Sequence, residues 1–122
     1  MGLKDDLRQK METQLAEWDA SLERFRERLK ELQAKAEQLE GQAKTECQEL
    51  VSKAKDMIHE LETKLEAGRK ELERVKEATD EAWEDLKANI QSAWDRAKSG
   101  IEAGWARLKE ALDQASSKLK SS

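Results

Sequence analysis

Apolar residues recur at steps of three and four along most of this chain and hardly ever cluster. From Leu15 they run Leu15, Trp18, Leu22, Phe25, Leu29, Leu32, Ala36, Leu39 and Ala43, then polar Glu46, then Leu50. Residues three and four apart share one face of a helix, so this is a heptad seam with one weak layer. Between Cys47, Leu50, Ala54 and Ile58 the steps become three, four and four, which adds four residues to a heptad and predicts a locally relaxed left-handed supercoil. Heptads resume at Ile58, Leu61, Leu65, Gly68, Leu72, Val75, Thr79, Ala82 and Leu86. The seam's principal positions are Leu22, Phe25, Leu29, Leu32, Leu39, Leu50, Ile58, Leu61, Leu65, Leu72 and Val75. It is thinnest at Ala36, Ala43 and Glu46, where close backbone approach or looseness is expected.

A second rhythm follows. Residues 82–114 read AWEDLKANIQS, AWDRAKSGIEA, GWARLKEALDQ, an eleven-residue repeat. At 100° per residue Trp94 and Trp105 fall about 20° and 40° beyond Trp83, because eleven residues make almost three whole turns. Leu86, Ala97 and Leu108 accompany the tryptophans, as do Ile90, Ile101 and Leu112, and the whole face spans an arc of roughly 120°. Lys87, Lys98 and Lys109 line one border, Arg96 and Arg107 the other, and acidic residues occupy the middle of the polar face. Basic borders suit a lipid surface, since Lys and Arg lay their stems on hydrocarbon and lift the charge to the headgroups, the depth tryptophan also favours. The same stripe equally suits burial between helices, because an eleven-residue repeat builds a nearly straight or right-handed seam.

Few residues interrupt helix. Gly41, Gly68, Gly100 and Gly104 each cost about 1 kcal/mol relative to Ala inside a helix, tolerable in so long an element. The best hinge is Ala78-Thr79-Asp80-Glu81, where Thr79 or Asp80 can cap a new helix with an acidic first turn. The expected organisation is a heptad-type coiled-coil helix over residues 1–78 and a C-terminal amphipathic helix over 79–122.

Composition narrows the class further. With 41% charged residues, no proline and one phenylalanine among 122 residues, the chain cannot fill a broad globular core. An all-α, elongated coiled coil is expected. The net charge of -4 argues against nucleic acid as a partner. No run approaches the roughly twenty apolar residues that span a bilayer, and the N-terminus lacks a secretion signal's apolar core. A cytoplasmic protein, peripheral at the membrane at most, is expected.

Candidates for chemistry are weak. Asp56 and His59 have the i, i+3 spacing of a carboxylate–histidine metal pair, but one histidine falls short of a di-metal site. Cys47 has no partner for an internal disulfide and reads as a small apolar filler beside the seam. With no phosphate loop and no nucleophile–base pair in the sequence, no catalysis, cofactor, metal or small-molecule substrate is expected.

METQLAEWDASLERFRERL (residues 11–29) and LERVKEATDEAWEDLKANIQSAW (72–94) resemble the opening and closing motifs of a family of short bacterial coiled-coil proteins linked to stress response, AWEDLK after KEATDE being the most specific part. The resemblance implies an abundant, non-catalytic, stress-related protein without cofactor. Joined to the periodicity, it yields a self-associating coiled coil, a homo-oligomer, whose C-terminal helix docks on a membrane or other apolar surface. The alternative is a soluble scaffold or filament subunit with the tryptophan face buried between helices.

Overall fold

A computed structural model describes residues 2–121, which form three helices: α1 (Leu3–Glu37), α2 (Gly41–Glu77) and α3 (Asp80–Ser121). Ala, Leu, Glu, Lys, Arg and Gln dominate all three, the residues that lose least on entering a helix. Asp5 and Asp6 in the first turn of α1, and Asp80 and Glu81 in that of α3, complement the helix dipoles, as do Lys35, Arg74 and Lys76 at the opposite ends of α1 and α2.

Cross-helix contacts give the topology. Arg69 bonds Asp19, Arg26 bonds Glu62 and Lys76 meets Glu12, so residue numbers rise on α1 as they fall on α2. The Cys47 thiol meets the Ala115 carbonyl, and the Lys64 ammonium meets that of Gly100, so α3 is antiparallel to α2 and parallel to α1. The result is an up-down-up bundle whose members are about 50–60 Å long at 1.5 Å per residue. Packing is most extensive between α2 and α3 and least between α1 and α3.

Residues 1–78 therefore do not form one helix. The chain leaves α1 through Gln38, Leu39 and Glu40, with the Gln38 and Leu39 N–H groups donating to the Lys35 and Ala36 carbonyls. It re-enters helix at Gly41, whose φ of +67° lies in the left-handed region. A side chain would meet nothing within 4 Å there, so glycine serves backbone conformation and not space. The thin stretch of the seam is thus a reversal, and Leu39, expected in the seam, sits half-buried in the turn.

The second reversal coincides with the expected hinge. Ala78 is extended at φ −67°, ψ 130°, and its N–H donates to the Arg74 carbonyl. Thr79 caps α3, its hydroxyl accepting from the Ala82 N–H at 3.1 Å. Lys4 donates to the Ala78 carbonyl and fastens the start of α1 to this turn.

Each helix contributes one buried stripe. On α1 it is Met11, Leu15, Trp18, Leu22, Leu29, Leu32 and Ala36, with Phe25 half-buried in the remaining heptad position. On α2 it is Cys47, Val51, Ala54, Ile58, Leu61, Leu65, Gly68, Leu72 and Val75, an unbroken alternation of four and three. The expected interruption around Leu50 is absent because Val51 turns inward and Leu50 is only half-buried. No polar or charged side chain is buried among the described residues.

Two glycines of α3 give opposite tests of this packing. A Cβ at Gly104 would lie 2.6 Å from the Cδ2 of Leu61, a side chain 1% exposed with little room to move. One at Gly100 would meet only the flexible side chain of Lys64, no nearer than 3.5 Å. Gly100→Ala should stabilise the fold by up to about 1 kcal/mol through helix propensity. In Gly104→Ala, overpacking of about 1–3 kcal/mol outweighs the same gain, giving a net loss. Denaturant unfolding followed by circular dichroism reads both signs.

Candidate functional site

The repeat of α3 is the most distinctive surface that the sequence encodes, and the bundle turns it inward. Trp83, Ile90, Trp94, Ile101, Leu108 and Leu112 are buried, and Leu86, Ala97 and Trp105 are half-buried. Their partners come from both other helices. Trp18 of α1 stacks on Trp94 with ring centroids 5.3 Å apart at 29°, and Phe25 stacks on Trp105 at 5.3 Å and 16°. Gly68 of α2 makes room for this, since a Cβ there would stand 3.3 Å from both Trp94 Cζ3 and Leu15 Cδ2.

The remaining seam positions follow suit. Leu22, Leu29, Leu32, Ile58, Leu61, Leu65, Leu72 and Val75 are buried, while Phe25 and Leu50 pack half-buried against them. A lone helix would have left this stripe exposed and in need of a second chain; α1, α2 and α3 instead cover one another. The expectation of a homo-oligomer loses that premise.

The basic borders stay at the surface. Lys98, Lys109, Arg96 and Arg107 are exposed, and Lys87 is half-exposed with its ammonium 2.9 Å from Glu84. The acidic centre of the polar face, including Asp85, Asp95, Glu102 and Glu110, is exposed as well. Assembly thus consumes the apolar arc of α3 and leaves its charged pattern outside.

The stacks also explain why α1 and α3 touch least. Trp18 and Phe25 are seven residues apart, about 10 Å along the axis, whereas Trp94 and Trp105 are eleven apart, about 16 Å. A heptad helix and an eleven-residue-repeat helix fall out of step along their length, and between α1 and α3 that mismatch is met by large rings on both sides, which stack at an angle. A groove of about 880 Å³ opens between the first turns of α1 and the middle of α3, with Leu7, Lys10 and Thr13 on one side and Gln91, Trp94 and Lys98 on the other. Its walls carry Asp6, Glu17 and Asp95 beside the two lysines, so neither sign of charge dominates.

The other sequence candidates resolve simply. Burial pushes the Cys47 thiol up, away from the reactive thiolate, and its weak bond to the Ala115 carbonyl, 3.8 Å away, suits a filler of the α2–α3 seam. His59 is exposed, its Nδ1 3.7 Å from a Glu62 oxygen in the next turn of its own helix. Among the described residues no three His, Cys, Asp or Glu side chains converge as a metal site, and no helix is long and apolar enough to cross a membrane. Sequence reasoning missed Met11 and Val51, each in heptad step with its neighbours, and the buried Ala111 and Ala115 of α3, the latter lying against Cys47 of α2.

Cross-helix ion pairs surround the site. Bonding to Arg26 holds the Glu62 carboxyl below its ordinary range, bonding to Arg28 does so for Asp113, and bonding to Lys118 for Glu46. A carboxylate with a lowered folded-state pKa contributes stability above its ordinary pKa and loses that contribution as the pH falls through the folded value. Arg26 and Arg28 both lie on α1, so acid weakens the attachment of that helix, while protonation of Glu46 weakens the α2–α3 contact in the same way. The thermal midpoint should fall as the pH drops below about 4.5, and Arg26→Gln with Arg28→Gln should flatten that dependence while lowering the midpoint at neutral pH only slightly. Melts followed by circular dichroism across the acid range test it. Compared with protein-family models, curated proteins and solved structures, the chain matches none of them.

Proposed function

We propose that this chain is a non-catalytic, cytoplasmic, stress-related bacterial coiled-coil protein that stores the tryptophan face of α3 inside its own bundle and transfers it to a membrane or other apolar surface when α1 lifts away. The observation that carries the reading is that this face is wholly apolar and is shared between a closely packed partner, α2, and a sparsely packed one, α1. Among the described residues no buried polar side chain has to lose a partner when one apolar cover is exchanged for another. Displacing α1 uncovers large side chains at about 1.5–3 kcal/mol each, and hydrocarbon recovers that term as well as protein does. The hairpin of α2 and α3 then offers Trp94, Ile101 and Trp105 to a surface, bordered by the lysines and arginines that are already outside.

Residues 81–122 carry seven basic and seven acidic side chains, so adsorption rests on apolar area more than on attraction to anionic lipid. A second reading, a scaffold that never opens, draws support from the two ring stacks, whose geometry adds about 0.5–1.5 kcal/mol each beyond burial.

Liposome co-sedimentation with phosphatidylcholine vesicles separates the two. The native protein should bind, with tryptophan emission blue-shifted both in buffer and on vesicles. Changing Lys87, Lys98 and Lys109 to Glu puts three carboxylates at headgroup depth and should abolish most binding, while helicity and thermal midpoint barely change because these positions are solvated in the bundle. A native protein that ignores vesicles even when acidified would establish the scaffold reading instead.

A further inference from the structure

The two reversals of the bundle are built differently. The turn from α1 to α2 uses three non-helical residues and a glycine in the left-handed region. The turn from α2 to α3 uses only Ala78 and Thr79, contains neither glycine nor proline, and places neither residue at positive φ. Ala78 already has a helical φ of −67°, so rotation about ψ, from 130° to about −40°, is its main step into helix. Thr79 and Asp80 are the only adjacent pair of weak helix formers from Leu72 to Ala88, and beside the packing of α2 on α3 the bend is fastened by the Thr79 cap, the Ala78 N–H bond to the Arg74 carbonyl and the Lys4 bond to the Ala78 carbonyl.

The apolar stripe runs through this bend without a gap. Val75, Ala78, Ala82, Leu86 and Ile90 are spaced three, four, four and four, which keeps them within an arc of roughly 120° on a continuous helix. The facing pairs Leu61–Gly104, Cys47–Ala115 and Gly68–Trp94 are all centred on residues 81–83, beside the bend. Two straightened copies laid antiparallel about that point would remake each of these pairs twice, Leu61 of one against Gly104 of the other and the reverse. The small residues Ala78 and Ala82 sit at the crossing and allow close approach.

We propose that the chain exchanges α3 between two copies, α2 and α3 fusing into one helix of about 120 Å that pairs with its counterpart while each α1 folds back on its own α2. The ligand of the α2 seam is then α3 of a second copy of this chain. The packing that α2 and α3 give up within one molecule is restored between two, so concentration and the strength of the Thr79 cap decide the balance. Exchange of this kind does not depend on lipid binding.

Energy transfer between labels tests it. Cys47→Ala removes the native thiol, and Gln48→Cys and Gln114→Cys, both at exposed positions, carry donor and acceptor. Chains carrying one label each, unfolded together and refolded at high concentration, should yield a dimer with efficient transfer between chains. The doubly labelled chain, diluted into unlabelled protein, should lose its internal transfer on dimerising, because a continuous helix sets the labels about 100 Å apart. Thr79→Ala with Asp80→Ala should raise the dimer fraction by about tenfold, and four glycines inserted after Ala78 should abolish it with helicity retained. A chain that stays monomeric at every concentration, or a dimer that keeps its internal transfer, overturns the proposal. If the alanine variant fails to fold, the native chain and the glycine insertion decide alone.

Discussion

Everything in this molecule depends on the place where Trp94 of α3 enters the space left by Gly68 of α2, with Leu15 and Trp18 of α1 closing over it. A chain so rich in charge has only narrow stripes to bury, and three stripes can be covered at once only if the largest side chains find gaps opposite them. Gly68 supplies one such gap and Gly104, facing Leu61, supplies another. These close approaches bring helix axes near enough for alanines and a cysteine to serve as core.

They also set the asymmetry of the bundle. Both gaps lie on the α2–α3 seam, that at Gly68 also receiving Leu15 of α1, and along this seam a seven-residue and an eleven-residue rhythm face each other across small residues and pack well. Between α1 and α3 the same mismatch is met by large rings on both sides, so two stacks hold while the helices part around a groove. One interface is close and the other is sparse, and both properties follow from the spacing of apolar residues.

Much of this is legible in the sequence. Helical spacing assigns nearly all the described residues to helix, and Thr79 is recognisable as a cap because a hydroxyl at that point satisfies the Ala82 N–H. The reversal at 38–41 is not legible: a glycine in a helical pattern reads as a small cost, and whether it adopts positive φ is settled by the packing of the arms on either side. Spacing alone favours Leu50 over Val51 for a related reason, since two adjacent apolar residues offer two continuations and only the facing helix selects one. For the candidate site, the tryptophan face is legible as a face, but its occupant is not. Periodicity describes what a helix presents, and Trp18 and Phe25 become partners of Trp94 and Trp105 only once the chain has turned back twice.

Native-state hydrogen exchange tests most directly the central claim, that α1 is the separable cover of a tighter α2–α3 hairpin. Amides of residues 18–32 in α1 should open through a partial unfolding of lower free energy, while those of residues 58–72 in α2 and 94–112 in α3 share the slowest exchange. Equal protection across all three helices, lost together in one global step, would contradict a bundle that opens on the α1 side.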